Sequence, residues 1–259
     1  MRALLSLLYG LAAYLASMAT LAYFIGFSAN LLVPRSVDFG GPQAGLVQAL
    51  VADVLLLALF GLQHSVMARR GFKAWWTRLV PAVVERSSFL VASCLALAAM
   101  FRFWMPIATP VVWRVEAPVA VALLWGGFGL GWLVAGLSTF LLDHLELFGL
   151  RQAVSALTGR EIPPASFRTP LFYRWVRHPL YLGFLLGFWS VSVMTLGRLV
   201  FALGLSVYVL VGIAFEESDL LRVFGERYRV YRGQVGMLVP RVRAPRRDAG
   251  TRTPDNGAR

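Results

Sequence analysis

Six long apolar runs separated by polar segments organise the chain: Leu4 to Phe27, Leu46 to Met67, Phe89 to Ile107, Val119 to Leu142, Leu180 to Leu196 and Leu199 to Phe215. A helix rises 1.5 Å per residue, and about 20 apolar residues cross a hydrocarbon core of about 30 Å, so the pattern predicts six transmembrane helices. Only Gly197 and Arg198 separate the last two runs. Each of those two would reach about 25 Å, which predicts a short, tight antiparallel hairpin. The first run is longer than the apolar core of a signal peptide, and Ser28 to Leu32 offers no clear small-residue cleavage site, so it reads as a span.

Composition sharpens this picture. Of 259 residues, 58% are hydrophobic and only 15% charged, far from the balance of a soluble domain. The expected fold is an all-α polytopic membrane helix bundle forming one domain over residues 1–240. Too little chain remains for a separate soluble catalytic domain, so any chemistry must use helix ends and short loops. Residues 241–259, rich in Arg, Pro, Gly, Asp and Thr, read as a disordered basic tail. Of the 25 Lys and Arg, 21 fall on one side of a six-span arrangement, leaving Arg35, Arg102, Arg114 and Arg198 opposite. Basic loops stay in the cytosol, which predicts a multi-pass protein with both termini cytoplasmic. The net charge of +12 then describes topology and contact with membrane lipids rather than nucleic-acid binding. The lone Cys94 excludes a disulfide framework or a Cys-based metal site, and three histidines argue against a histidine-rich di-iron centre, so no metal is expected.

Those three histidines, His64, His144 and His178, all fall on the predicted cytoplasmic side, as do Asp143-His144-Leu145-Glu146 and the pair Glu216-Glu217. Ionisable groups at membrane-helix ends are functional pointers, although helix ends also tolerate polar residues for structural reasons. In Arg177-His178-Pro179-Leu180-Tyr181-Leu182-Gly183, Pro179 suits the first turn of a helix and holds His178 just outside it. The free N–H groups there, with Arg177, would favour an anion such as a carboxylate. Gly183 permits close approach of a ligand or a neighbouring helix. Three acids at the exit of the sixth span oppose the helix dipole, so either the helix continues or the acids meet a ligand. Tyr228 and Tyr231 share one face of an amphipathic cytoplasmic tail helix.

Arg177-His178-Pro179 with Tyr181 and Gly183, the membrane hairpin, Glu216-Glu217 and Gly225-Glu226-Arg227-Tyr228 to Tyr231 resemble the cofactor half of the isoprenylcysteine carboxyl methyltransferase superfamily. Gln63-His64-Ser65-Val66-Met67-Ala68-Arg69, Phe72-Lys73, Glu85-Arg86-Ser87 and Asp143 to Gln152 resemble the methanethiol S-methyltransferase family within it. The resemblance covers about residues 1–240. It implies methyl transfer from S-adenosylmethionine to methanethiol, giving dimethyl sulfide, in a bacterial inner membrane, with hydrogen sulfide as a further candidate acceptor. It also implies a cofactor pocket of Arg177, His178, Tyr181, Leu182, Gly183, Glu216, Glu217 and Tyr231. Gln63, His64, Asp143, His144 and Glu146 are the candidates for the acceptor side.

The reactive acceptor is a thiolate, so a base is needed. His64 or His144 can serve, with Asp143 and Glu146 as orienting carboxylates that favour the His144 neighbourhood. Trp175, Tyr181 or Trp189 could hold a sulfonium by cation–π contact. The alternatives are methylation of a prenylcysteine carboxylate or other lipid-like acceptor, a membrane reductase, and a non-enzymatic NnrU-like membrane protein. Cofactor binding and acceptor length discriminate among them.

Overall fold

The computed structural model describes residues 1–162 and 167–241; the predicted tail beyond Arg241 lies outside the described residues. The long helices are α1 (Arg2–Ala29), α2 (Leu46–Met67), α4 (Ala82–Phe103), α5 (Pro118–Leu142) and α9 (Leu196–Phe224). Shorter ones are α3 (Arg70–Trp76), α6 (His144–Leu147), α7 (Leu150–Thr158), α8 (Pro179–Trp189) and α10 (Glu226–Gln234). Five helices are long and apolar enough to cross a membrane.

The last two apolar runs depart from expectation. Helix α8 stops after 11 residues, because the remainder of its run turns at Ser190 into strand β2 (Val193–Thr195), which pairs antiparallel with β1 (Val111–Arg114). The pairing continues at Val115 N–H to Ser192 O and Leu196 N–H to Pro110 O, so backbone groups that leave the helix still find partners. The helical bundle expected from the sequence is present, with one small two-stranded sheet added to it. Helix α9 is 29 residues long, about 43 Å, and runs past the acids to Phe224. Continuation of the helix is therefore what places three acids beyond the apolar run.

Helix directions follow from residue pairs. Tyr9, Ser17 and Phe24 of α1 meet Ser88, Cys94 and Phe101 of α4 in that order, so these helices run parallel. His64 and Asp53 of α2 meet Ser93 and Met105, so α2 and α4 are antiparallel. Strand β1 links α4 to α5 and β2 links α8 to α9, so their pairing defines one end of the bundle. The opposite end collects the C-termini of α2, α5 and α9 and the N-terminus of α8. At the sheet end, buried Arg198 donates from Nε and Nη2 to Asp38 Oδ2 (3.0 and 2.6 Å) and from Nη1 to Ser28 O (2.7 Å). Thr195 Oγ1 donates to the other Asp38 oxygen at 2.6 Å. This network ties the α1–α2 loop to the start of α9.

Lipid removes much of the hydrophobic drive between helices, so close packing of small residues carries more of the association. Helices α5 and α8 show this directly. A Cβ on Gly131 would lie 2.6 Å from Gly183 O and 2.8 Å from Gly187 N. Two apolar clusters fill the rest: a large one around Phe27, Met100, Trp104 and Phe201 toward the sheet end, and a small one around Phe89, Leu90 and Phe148.

Candidate active site

The start of α8 is clamped by residues 232–237. Arg177 N–H donates to Gly236 O at 2.8 Å and His178 N–H to Met237 O at 3.2 Å. The buried Arg177 guanidinium donates from Nε to Glu217 Oε1 (2.7 Å) and from Nη1 to Val235 O (2.6 Å) and Arg232 O (3.2 Å). Arg177 therefore orders the site from within, where the sequence suggested a ligand-facing cation. His178 Nε2 donates to the same Glu217 oxygen at 3.2 Å, while its Nδ1 lies 3.8 Å from Glu216. Two donors converging on one carboxylate oxygen hold the imidazole and guanidinium as a single unit.

Glu216 is less enclosed than Glu217, with 41% of its side chain exposed against 12%, and it neighbours the Tyr181 hydroxyl. Tyr181 packs near the His178 ring, 5.7 Å between centroids. Tyr231 donates its hydroxyl to Tyr173 O at 2.5 Å, and burial raises its pKa to about 12, so it stays a donor at neutral pH. Leu182 continues the helix from His178. Gly183 faces α5, where its added Cβ would meet Ala135 N at 2.7 Å; of the two partners its size allows, the neighbouring helix occupies the space. Trp175 is exposed, and Trp189 lies at the sheet end, bonded to Ser206 and stacked near Trp113. Tyr181 is the one of these three aromatics beside His178.

His64 occupies a separate polar layer. Buried Ser93 donates its hydroxyl to Phe89 O at 2.9 Å, so its oxygen accepts from Gln63 Nε2 (3.4 Å) and from His64 Nδ1 (3.2 Å). A carbonyl only accepts and an amide nitrogen only donates, which makes Nδ1 the protonated nitrogen of His64. Nε2 is left with its lone pair and no hydrogen-bond partner among the described residues. Around it stand Phe89, Phe60 and Tyr208, at ring separations of 4.6, 5.5 and 5.9 Å. Among the described residues the buried Gln63 Oε1 is also without a partner.

His144 has neither nitrogen free. Thr139 Oγ1 donates to Gly136 O at 2.8 Å and accepts from His144 Nδ1 at 2.8 Å. Tyr14 donates to Nε2 at 3.0 Å, and the ring stacks on Phe140 at 4.1 Å. Desolvation lowers the His144 pKa below the usual histidine value. The expectation that Asp143 or Glu146 orients this ring is corrected: Asp143 caps α6 through Glu146 N–H (3.0 Å) and pairs with Arg151 (2.6 Å), while Glu146 faces Arg86. Hydroxyls hold the ring because α6 turns both carboxylates toward cations.

The structure thus gathers Arg177, His178, Tyr181, Glu216, Glu217 and Tyr231 into one cluster. Tyr208 on α9 links that cluster's helix to His64. Asp143, His144 and Glu146 form a third group, connected to His64 through Phe148 and Phe89, which share the small core. Sequence reasoning missed Ser93, Tyr208, Thr139 and Tyr14. Their only signal was a hydroxyl inside an apolar run, the environment where an unpaired hydroxyl is costly. Among the described residues, no three His, Cys, Asp or Glu side chains are placed to hold a metal ion.

Comparison with known proteins adds a further finding. The chain is 48% identical to methanethiol S-methyltransferase 2 of Bradyrhizobium diazoefficiens, over 96% of this chain and 95% of that protein. It is 49% identical to the methanethiol S-methyltransferase of Pseudomonas deceptionensis, over 93% and 91%. For the methanethiol S-methyltransferase of Mycobacterium tuberculosis the identity is 45%, over 93% and 98%. No family profile matches the chain. No solved structure matches it.

Proposed function

The chain belongs to the methanethiol S-methyltransferase family, and from that membership we propose that it methylates methanethiol to dimethyl sulfide, using S-adenosylmethionine held at the His178–Glu217 cluster. The donor supplies an electrophilic methyl on a sulfonium, whose charge disappears with that of the attacking thiolate, so a water-poor surround favours the reaction. The residues suit a zwitterionic ligand bearing hydroxyls. Glu216 offers an open carboxylate to hydroxyls or an ammonium, half-exposed Arg232 offers donors to a carboxylate, and the buried Tyr228 hydroxyl has no partner among the described residues.

On the acceptor side, His64 takes the thiol proton. The observation that carries this assignment is its Nε2 lone pair, left open because Ser93 fixes the proton on Nδ1. The thiol S–H proton moves to Nε2 and the thiolate remains in a box of aromatic rings. His144 serves instead to tie α1 to α5 through Tyr14 and Thr139.

We place the protein in the bacterial cytoplasmic membrane as six passages with both termini and the His178 cluster in the cytosol. Support comes from the basic residues gathered around the site end and from residues 179–195, which carry the chain from that end to the sheet end.

The test is headspace detection of labelled dimethyl sulfide from detergent-solubilised protein given methyl-labelled S-adenosylmethionine and methanethiol. Wild type produces label. His64→Gln binds the donor normally and turns over about 10²-fold or more slowly, whereas His178→Ala loses donor binding. Full turnover in His64→Gln removes its role as base, and the absence of label in wild type overturns the activity itself.

A further inference from the structure

One helical turn along the chain from His64 and from Tyr181 stands an aromatic ring, Phe60 on α2 and Phe184 on α8. Phe60 precedes His64 by four residues on α2, and its ring lies 5.5 Å from the imidazole and 5.4 Å from Tyr208. Phe184 follows Tyr181 by three residues on α8, and its ring lies 5.6 Å from Trp132 and 6.2 Å from Phe188. Phe60, Phe184 and Trp132 are the partly buried fringe of the large core, with fully packed rings behind them. Phe24 of α1 meets Trp132 at 5.8 Å and Phe188 at 6.0 Å, which fills the next layer.

The sides of the site are also narrow. Helices α5 and α8 touch backbone to backbone at Gly131 and Gly183, a seam with no width for an alkyl chain. Helices α1 and α5 are linked at one level through His144, which bonds Tyr14 of α1 and Thr139 of α5, and at another by Phe24 against Trp132.

We propose that Phe60, Phe184 and Trp132 form a ceiling that sets acceptor length, admitting a one-carbon thiol and excluding alkanethiols of several carbons. The inference rests on the methyl-transfer reading and adds the physical basis of its substrate class. Protein interiors are close-packed, so a longer chain with its sulfur at His64 must displace a ring. Discrimination per methylene in such a pocket runs to about tenfold or more.

The experiment compares kcat/KM for methanethiol and 1-butanethiol in wild type, Phe184→Ala and the milder Phe184→Leu, each checked for S-adenosylmethionine binding. Wild type should favour methanethiol by at least about 100-fold. Phe184→Ala should narrow that ratio by about tenfold or more, with Phe184→Leu between. If neither Phe184 variant binds the donor, Phe60→Leu provides the same ratio. An unchanged ratio in a donor-binding variant, or equal use of both thiols by wild type, overturns the ceiling. Wild-type protein that binds the donor and methylates no thiol overturns the underlying reading instead.

Discussion

The hydroxyls of Ser93 and Thr139 both donate to a backbone carbonyl of their own helix, at Phe89 and Gly136, and both therefore receive from a histidine Nδ1. The two imidazoles share a tautomer and differ at Nε2, which Tyr14 occupies in His144 and nothing among the described residues occupies in His64. Ser93→Ala removes the acceptor that holds the His64 tautomer. Turnover should fall by about fivefold, the worth of one hydrogen bond of about 1 kcal/mol, with donor affinity unchanged. Ser93→Thr should restore it, and steady-state kinetics with both substrates checks the pair. His144 makes a different prediction through pH. Its folded pKa is depressed by desolvation, so its contribution to stability is complete above the ordinary histidine pKa of about 6.5 and is lost as pH falls through the folded value. Between pH 7 and pH 5 the melting temperature of wild type should drop more than that of His144→Gln; parallel curves would show that His144 contributes nothing to the acid response.

Each helix in this bundle has a packing role that its apolar content does not reveal. Runs one, two and four match α1, α2 and α5 closely, because about 20 apolar residues in lipid have no other way to satisfy their backbone. Run five was legible as apolar but not as a short helix followed by a strand, since the partner strand β1 lies about 80 residues earlier, between Val111 and Arg114. The seam between α5 and α8 rests on glycines, and Gly131→Leu should be damaging: its side chain would have to pass Gly183 O and Gly187 N at 2.6 and 2.8 Å from the Cβ. A loss of about 1–3 kcal/mol is expected. Thermal unfolding followed by circular dichroism measures it, and an unchanged melting temperature would mean that α8 can move away from α5 freely.

Across the whole molecule, the segment that follows α10 returns to brace the site. Residues 232–237 supply the carbonyls of Arg232, Val235, Gly236 and Met237 to Arg177 and His178. Removing residues 232–259 should abolish S-adenosylmethionine binding in equilibrium dialysis while leaving the five long helices folded; retained binding would make this brace dispensable. The residue pattern alone determined a multi-span helical bundle, the grouping of its histidines and acids at one end, and the motif that carries the donor-site resemblance. Those features follow from local apolar length and from residues adjacent in the chain. Tertiary structure alone decided that Arg177 is spent on Glu217, that His144 is closed and His64 open, and that three aromatic rings surround His64. The physical reason is that a hydrogen-bonding nitrogen is free or occupied according to which groups fold against it, and here those groups lie 40, 130 and 29 residues away in the chain.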